Sequence, residues 1–188
     1  MKTIIIVQPE IPENTGFIAR LCENFGYDLR LVDPEFNLEE ARKTASKAQK
    51  KLEGARIYDD VEDSVKDLDY VVGTKPEKGN TLHDFQPREN TSIMIGRESS
   101  GLTNEELELC DSVVHIETND YSSINQSHAA AILMHSMNTR ENETANLQQL
   151  KAVEEETGEK TIQLLKRSSP TSEELNAVIG EIKDMKQF

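Results

Sequence analysis

The chain has 188 residues, 36% of them hydrophobic and 30% charged, and a formal net charge of −14. That length suits one domain with at most a small appendage. No run approaches the roughly 18 apolar residues of a membrane span, and "TIIIV" at the start is too short for a signal peptide, so a cytoplasmic location is expected. Cys22 and Cys110 are too few for a disulfide framework and read as small buried apolar groups.

In chain order, "TIIIVQ" reads as a buried strand, apolar at successive positions rather than alternate ones. Asn14 to Phe25 reads as a helix with Phe17, Ile18, Leu21, Cys22 and Phe25 on one face and Gly26 as its stop. "LRLVD" is a second strand. Leu38 to Leu52 is expected to be one basic helix, followed by a strand at "ARIY", a short helix at "VEDSVKDL" and a strand at "YVVGT". Residues 75–90 are loop-like, and "TSIMIG" is another buried strand. "TNEELELC" starts a helix, with Thr103 as N-cap and Glu106 three residues on as its capping box. "SVVHIE" is a strand, and Ile124 to Met137 a helix. Repeated β-α alternation predicts a parallel sheet covered on both faces.

From Arg140 onward the character changes. Residues 141–188 hold ten acidic and six basic residues and no strand-like run. Thr171 and Glu174 form a further capping box. Leu175, Val178, Ile179, Ile182 and Met185 make an apolar stripe that needs a partner surface. A small helical appendage is expected here.

A chain this acidic is not the usual nucleic-acid binder, but net charge hides local patches. Between Ala41 and Arg56 stand Arg42, Lys43, Lys47, Lys50, Lys51 and Arg56 against the single acid Glu53. The window reads either as a solvated helix face or as an RNA-facing patch. The acid elsewhere suits a salty cytoplasm. His83, His115, His128 and His135 have no cysteine or carboxylate neighbours at ligand spacing, so no metal is expected.

Three loops follow three strands, at 8–15, 96–101 and 118–123, and ligands of open parallel sheets bind beyond the carboxyl ends of strands. "GRESSG" places glycines where backbone can approach a ligand, though it reads equally as a tight strand-to-helix turn. It lacks the lysine and spacing of a phosphate loop, and no GxGxxG is present.

Together, "PENTGFIARLCENFG", "IMIGRESSGLTNEEL" and "IETNDYSSINQSHAAAIL" resemble, in order, the three motifs of the SpoU branch of the SPOUT superfamily, the RNA ribose 2′-O-methyltransferases. The resemblance covers roughly residues 1–140. It implies an α/β fold: an open parallel sheet with helices on both faces and a deep C-terminal trefoil knot, an exception to the rule that chains do not thread loops. Residues 1–140 would then be the methyltransferase domain and 141–188 a helical extension. The resemblance further implies S-adenosylmethionine as cofactor, at Thr74, Lys75, Pro76, Gly96, Ile116, Ser122, Ser123 and Ile124. Asn14, Arg20, Ser123 and Asn125 match the family's catalytic positions, and Glu98 and Gly101 would organise their loop. Arg20 would grip a phosphate and stabilise a developing 2′-oxyanion, since a guanidinium is a poor base; its bland alternative is an ion pair with Glu23. Arg20 with Arg42, Lys43, Lys47, Lys50 and Lys51 would face RNA.

Family members are homodimers in which the arginine helix of one chain completes the other's site. "NDYSSIN" and the tail "LLKRSSPTSEELNAVIGEI" resemble the TrmJ branch, which acts on nucleotide 32 of the tRNA anticodon loop. "PEIPENTG" is closer to the TrmL branch, which acts on wobble nucleotide 34. A catalytically idle RNA-binding dimer is the reading from another class.

Overall fold

The computed structural model describes residues 2–88 and 90–141, together with Val153, Asn176, Ala177, Ile179 and Gly180. The chain divides into two compact units, Met1–Asn138 and Thr139–Phe188. Among the described residues of the second unit, Val153, Asn176, Ala177, Ile179 and Gly180 are helical. The capping box at Thr171 and most of the stripe ending at Met185 lie outside the described residues.

In the first unit, seven parallel strands form one sheet in the order β3-β2-β1-β6-β4-β7-β5. They are β1 (Thr3–Val7), β2 (Asp28–Val32), β3 (Arg56–Tyr58), β4 (Tyr70–Thr74), β5 (Asn80–Thr81), β6 (Thr91–Ile95) and β7 (Ser112–His115). The helices are α1 (Pro12–Phe25), α2 (Leu38–Ala45), α3 (Gln49–Glu53), α4 (Val61–Val65), α5 (Asn104–Glu108) and α6 (Gln126–Glu141).

The unbroken apolar run of β1 is explained by burial on both faces. Ile4 and Ile6 join a core with Ile18 and Cys22 of α1, Ala41 of α2 and Leu133 of α6. Ile5 and Val7 join a second core with Leu107 of α5, and Val61 and Val65 of α4 pack against it. Each buried isoleucine contributes about 1.5–3 kcal/mol relative to exposure. Burial pushes the Cys22 thiol up to about 12, so it stays a neutral apolar group.

Several elements differ from the sequence expectation. The basic helix is not continuous. It stops at Ala45, passes through a 3-10 turn at Ser46–Ala48 and restarts at Gln49. Ser46 takes a positive φ of 51°, and Thr44 Oγ1 donates back to Ala41 O at 3.1 Å. Such back-bonding competes with the helical ladder. The apolar spacing of Ala41, Ala45, Ala48 and Leu52 persists through the break, so periodicity conceals it.

α1 begins at Pro12, two residues earlier than expected, because proline suits the first helical position. Gly26 ends it in the left-handed region, as expected. Phe17, placed on the buried face by its spacing, is 41% exposed. The loop-like segment 75–90 contains the two-residue strand β5, which pairs with β7. α6 begins at Gln126 rather than Ile124, because Asn125 is its cap. The capping box at Thr103 and Glu106 is present at the start of α5.

The strand order places the loops that matter. From β1 the chain winds one way to β2 and β3, whereas β6, β4 and β7 lie on the other side. The reversal falls between β1 and β6. α1 packs on one face of the sheet and α5 on the other, so a crevice opens at the carboxyl ends of these two strands.

Candidate functional site

The crevice holds a cavity of about 410 Å³, a size suited to a small ligand. Its wall comes from the carboxyl ends of the three adjacent strands β6, β4 and β7 with the loops that follow them, from the start of α1 and from the first turns of α6. All eight residues expected at a cofactor, Thr74, Lys75, Pro76, Gly96, Ile116, Ser122, Ser123 and Ile124, line it. Glu98, Gly101, Asn14 and Asn125 line it too. Arg20 does not line it: it is exposed on α1 and forms no ion pair among the described residues, to Glu23 or to any other acid.

Gly96 has no room for a side chain. A Cβ there would stand 2.1 Å from the carbonyl carbon of Gly101 and 2.3 Å from the nitrogen of Leu102. Gly101 is glycine for a different reason: its φ is +69°, and nothing lies within 4 Å of where a Cβ would be. The two glycines let the β6–α5 turn fold back on itself, with Gly101 N donating to Arg97 O at 3.0 Å.

A chain of hydrogen bonds runs along the rim and ties three loops together. Asn125 Oδ1 accepts from the main-chain N–H of Ser127 at 2.9 Å and from Ser127 Oγ at 2.8 Å, and so caps α6. Its oxygen being occupied, Asn125 offers Nδ2, which donates to Asn14 Oδ1 at 3.0 Å. Asn14 Nδ2 then donates to Glu98 Oε1 at 3.0 Å. The direction of the chain is fixed at both ends: backbone N–H groups can only donate, and an ionised carboxylate can only accept. Asn14 is 4% exposed, so its amide left unpaired would carry a real cost. Glu98 Oε2 accepts from the main-chain N–H of Glu10 at 2.9 Å, so the carboxylate takes one backbone N–H and one side-chain amide.

Four residues at the rim carry no signal in the sequence pattern: Glu10, Arg97, His115 and Gln126. Arg97 donates from Nε to Gln8 Oε1 at 2.6 Å and from NH1 and NH2 to Glu106 at 3.1 and 2.8 Å. The bond to Glu106 raises the Arg97 pKa. Burial disfavours the charge on Glu106, but the bonds from Arg97 and from Thr103 N–H outweigh it, and its pKa falls below the ordinary value. Gln126, 5% exposed, donates from Nε2 to Gly96 O at 2.9 Å, joining α6 to the end of β6. Glu10, Arg97 and Gln126 each have a partner 30 to 89 positions away, and although Arg97 and Gln126 stand inside the quoted motifs, nothing there marks those partners.

Lys75 Nζ is turned to Leu102 O at 3.2 Å, and Lys78 Nζ to Asn104 Oδ1 at 3.2 Å, so these ammonium groups fasten the loop after β4 to the start of α5. Of the basic window, Arg42 pairs with Glu39 and Glu53, and Lys51 with Asp28. Lys43, Lys47 and Lys50 are exposed and pair with no acid among the described residues. No group of three histidines, cysteines or carboxylates is placed to hold a metal among the described residues, and none of their helices is long and apolar enough to cross a membrane.

Residues 1–135 match the SpoU rRNA Methylase family. The chain is 34% identical over 157 residues to a tRNA (cytidine-2'-O-)-methyltransferase TrmJ of Methanocaldococcus jannaschii, covering 74% of this chain and 68% of that protein. Two solved structures share the fold. A protein described under the 2-OH methylation of C/U34 on tRNA superposes with a TM-score of 0.67 at 24% identity, covering 73% of this chain and 93% of that one. The SpoU methyltransferase AviRb from Streptomyces viridochromogenes, solved with the cofactor AdoMet, superposes at 0.63 and 23% identity, covering 74% and 57%. By the match along most of its length, and by the parallel sheet that places those motifs around one cavity, the chain belongs to the SpoU rRNA methylase family.

Proposed function

We propose that this protein is an S-adenosylmethionine-dependent tRNA 2′-O-methyltransferase of the cytoplasm, acting as a homodimer on nucleotide 32 of the anticodon loop. The observation that carries the reading is the cavity itself, which gathers the eight expected cofactor positions beside the Asn125–Asn14–Glu98 chain. The relative in Methanocaldococcus jannaschii supports the ribose 2′-hydroxyl of tRNA as the target. The trefoil threading of the family is part of the same proposal.

The lining fits the cofactor. Ile95, Ile116, Ile124 and Leu133 give apolar walls for a flat ring, and Gly96 leaves backbone within reach of its edge. Gln126 Oε1 and His115 Nδ1, both on lining residues, are buried with no hydrogen-bond partner. When bound, S-adenosylmethionine would supply an electrophilic methyl group on a cationic sulfur. The protein's own task is then largely to orient the two reactants and exclude water. Asn14 and Asn125 hold a fixed array of dipoles at the rim, and exposed Ser123 stands beside them to meet the ribose.

Arg20 fits the role of an arginine given to the partner's site: it is exposed on α1 and absent from the wall of its own cavity. Phe17 on the same helix and Ile132 on α6 are 41% and 42% exposed, apolar groups that a second copy would cover. Arg20→Lys is expected to lose most activity, because a point charge does not replace a bidentate fork.

The test is incubation with labelled S-adenosylmethionine and unmodified tRNA, followed by mapping of the methylated ribose. Label at nucleotide 32 supports the reading. Label at 34 moves the protein to the wobble activity, which the loop "PEIPENTG" resembles. RNA binding without transfer would leave only the fold.

A further inference from the structure

We propose that Glu10 is a positioning residue of the methyl-donor site, clasping the Glu98–Ser99 turn across the gap between β1 and β6. The proposal rests on the reading of the cavity as that site.

The geometry is reciprocal. The main-chain N–H of Glu10 donates to Glu98 Oε2 at 2.9 Å. In return, the Glu10 carboxylate accepts from Ser99 N at 2.9 Å and from Ser99 Oγ at 2.5 Å. Two consecutive residues of one turn are thus held by one residue of another loop, 88 and 89 positions away. Each of the three bonds has an ionised acceptor, the stronger kind.

The place of the clasp gives it consequence. The β1–β6 ladder ends at the pair Ile6 and Ile95. Beyond it the two chains part, α1 to one face of the sheet and α5 to the other. The clasp holds them together just past that point, across the mouth of the crevice. Ser99 and its neighbours Glu98 and Ser100 line the cavity, and so does Ile11, which follows Glu10.

α1 also lacks a cap of its own. Its N-cap residue is Ile11, and no side chain there accepts from the first turn. The position of its start, and so of Asn14, is therefore set from outside, by Glu98 and by the Glu10 clasp. One carboxylate couples the turn that shapes the donor cavity to the helix that carries Asn14 and Arg20.

Binding of S-adenosylmethionine to the full chain, measured by calorimetry for Glu10→Ala, Glu10→Gln, Ser99→Ala and Glu10→Ala/Ser99→Ala, tests this. Glu10→Ala is expected to weaken binding roughly 10- to 30-fold, the scale of losing charge-assisted bonds. Glu10→Gln recovers most of the affinity, because its oxygen still accepts from Ser99 N–H and its amide can donate to Ser99 Oγ. Ser99→Ala costs about 3-fold, and the double variant is no worse than Glu10→Ala. The KM for the donor should rise with the dissociation constant, with kcat at saturating donor changing less. Wild-type-like binding by Glu10→Ala, or additive losses in the double variant, would overturn the clasp alone. Failure of the wild type to bind would overturn the donor-site reading and the clasp with it. If Glu10→Ala does not fold, Ser99→Ala decides, and wild-type-like donor binding by that variant counts against the clasp.

Discussion

At the rim of the cavity, polar side chains are bonded to one another. Asn125, Asn14, Glu98, Glu10 and Ser99 form one chain, and Arg97, Gln8 and Glu106 a second beside it. On the α2–α3 surface the opposite holds, for Lys43, Lys47 and Lys50 stand exposed without an acidic partner among the described residues. The rim is organised before any ligand arrives, and its dipoles need no rearrangement when chemistry occurs. The lysine surface acts at longer range, is screened by salt, and has no geometry to lose. A change at the rim should therefore be severe and local, and a change on the lysines mild and additive.

The largest effect is expected at Gly96. Gly96→Ala puts a Cβ against Gly101 backbone that cannot move aside, and should abolish donor binding and cost about 3 kcal/mol or more in a denaturant melt. Gly101→Ala meets open space and only the left-handed backbone penalty, about 1–2 kcal/mol. Equal damage at both glycines would mean that the crowding at Gly96 is not what matters.

Next comes Asn125, which can be divided into its two tasks. Asn125→Asp keeps an oxygen to cap α6 but loses the donor to Asn14 and leaves the buried Asn14 Oδ1 unpaired, so kcat/KM should fall roughly 30-fold, about 2 kcal/mol of transition-state stabilisation, with a stability loss of about 1–3 kcal/mol. Asn125→Ala should lose both, with about 1 kcal/mol of stability besides. Full activity in Asn125→Asp would sever the chain as a working element.

Acid should expose the second network. Glu106 has a folded-state pKa below its unfolded value, so its contribution is present above the ordinary carboxylate range and is lost as pH falls through the folded pKa. Glu106→Gln should be less stable than the wild type at neutral pH, and the gap should close on acidification below about pH 4.5. A gap that stays constant in acid melts would remove the Arg97–Glu106 pair as its source.

The smallest effects belong to the lysines. Lys43→Ala, Lys47→Ala and Lys50→Ala should each weaken tRNA binding a few-fold and lower the slope of log K against log salt by about 0.7–0.9 for each phosphate that is no longer neutralised. Donor affinity should not move. An unchanged salt slope in the triple variant would leave these lysines as a solvated face.

Sequence pattern recovered what local rules control. The two-faced burial of Ile4 to Val7, the stop at Gly26 and the capping box at Thr103 and Glu106 were legible because their partners lie within a few residues or because the strand's own apolar run declares them. The motif loops were legible because they follow strands, and the resemblance singled out the eight positions that the fold gathers around one cavity. Local rules failed where a second element intervened. Phe17 has the spacing of a buried residue, yet the chain alone leaves it half open. The apolar spacing from Ala41 to Leu52 runs through a helix break at Ser46 that it gives no hint of.

The sequence by itself determined six of the seven strands, the stop at Gly26 and the capped start of α5, because hydrophobic runs, glycines and capping residues act on their immediate neighbours. Only the tertiary structure decided that Asn125 both caps α6 and holds Asn14, that Glu10 grips Ser99, and that Arg20 stands away from its own cavity. The Asn125–Asn14 and Ser99–Glu10 bonds join residues 111 and 89 positions apart. A bond of that span has no period and no neighbouring signature, and exists only once the sheet brings β1, β6 and β7 to a common edge.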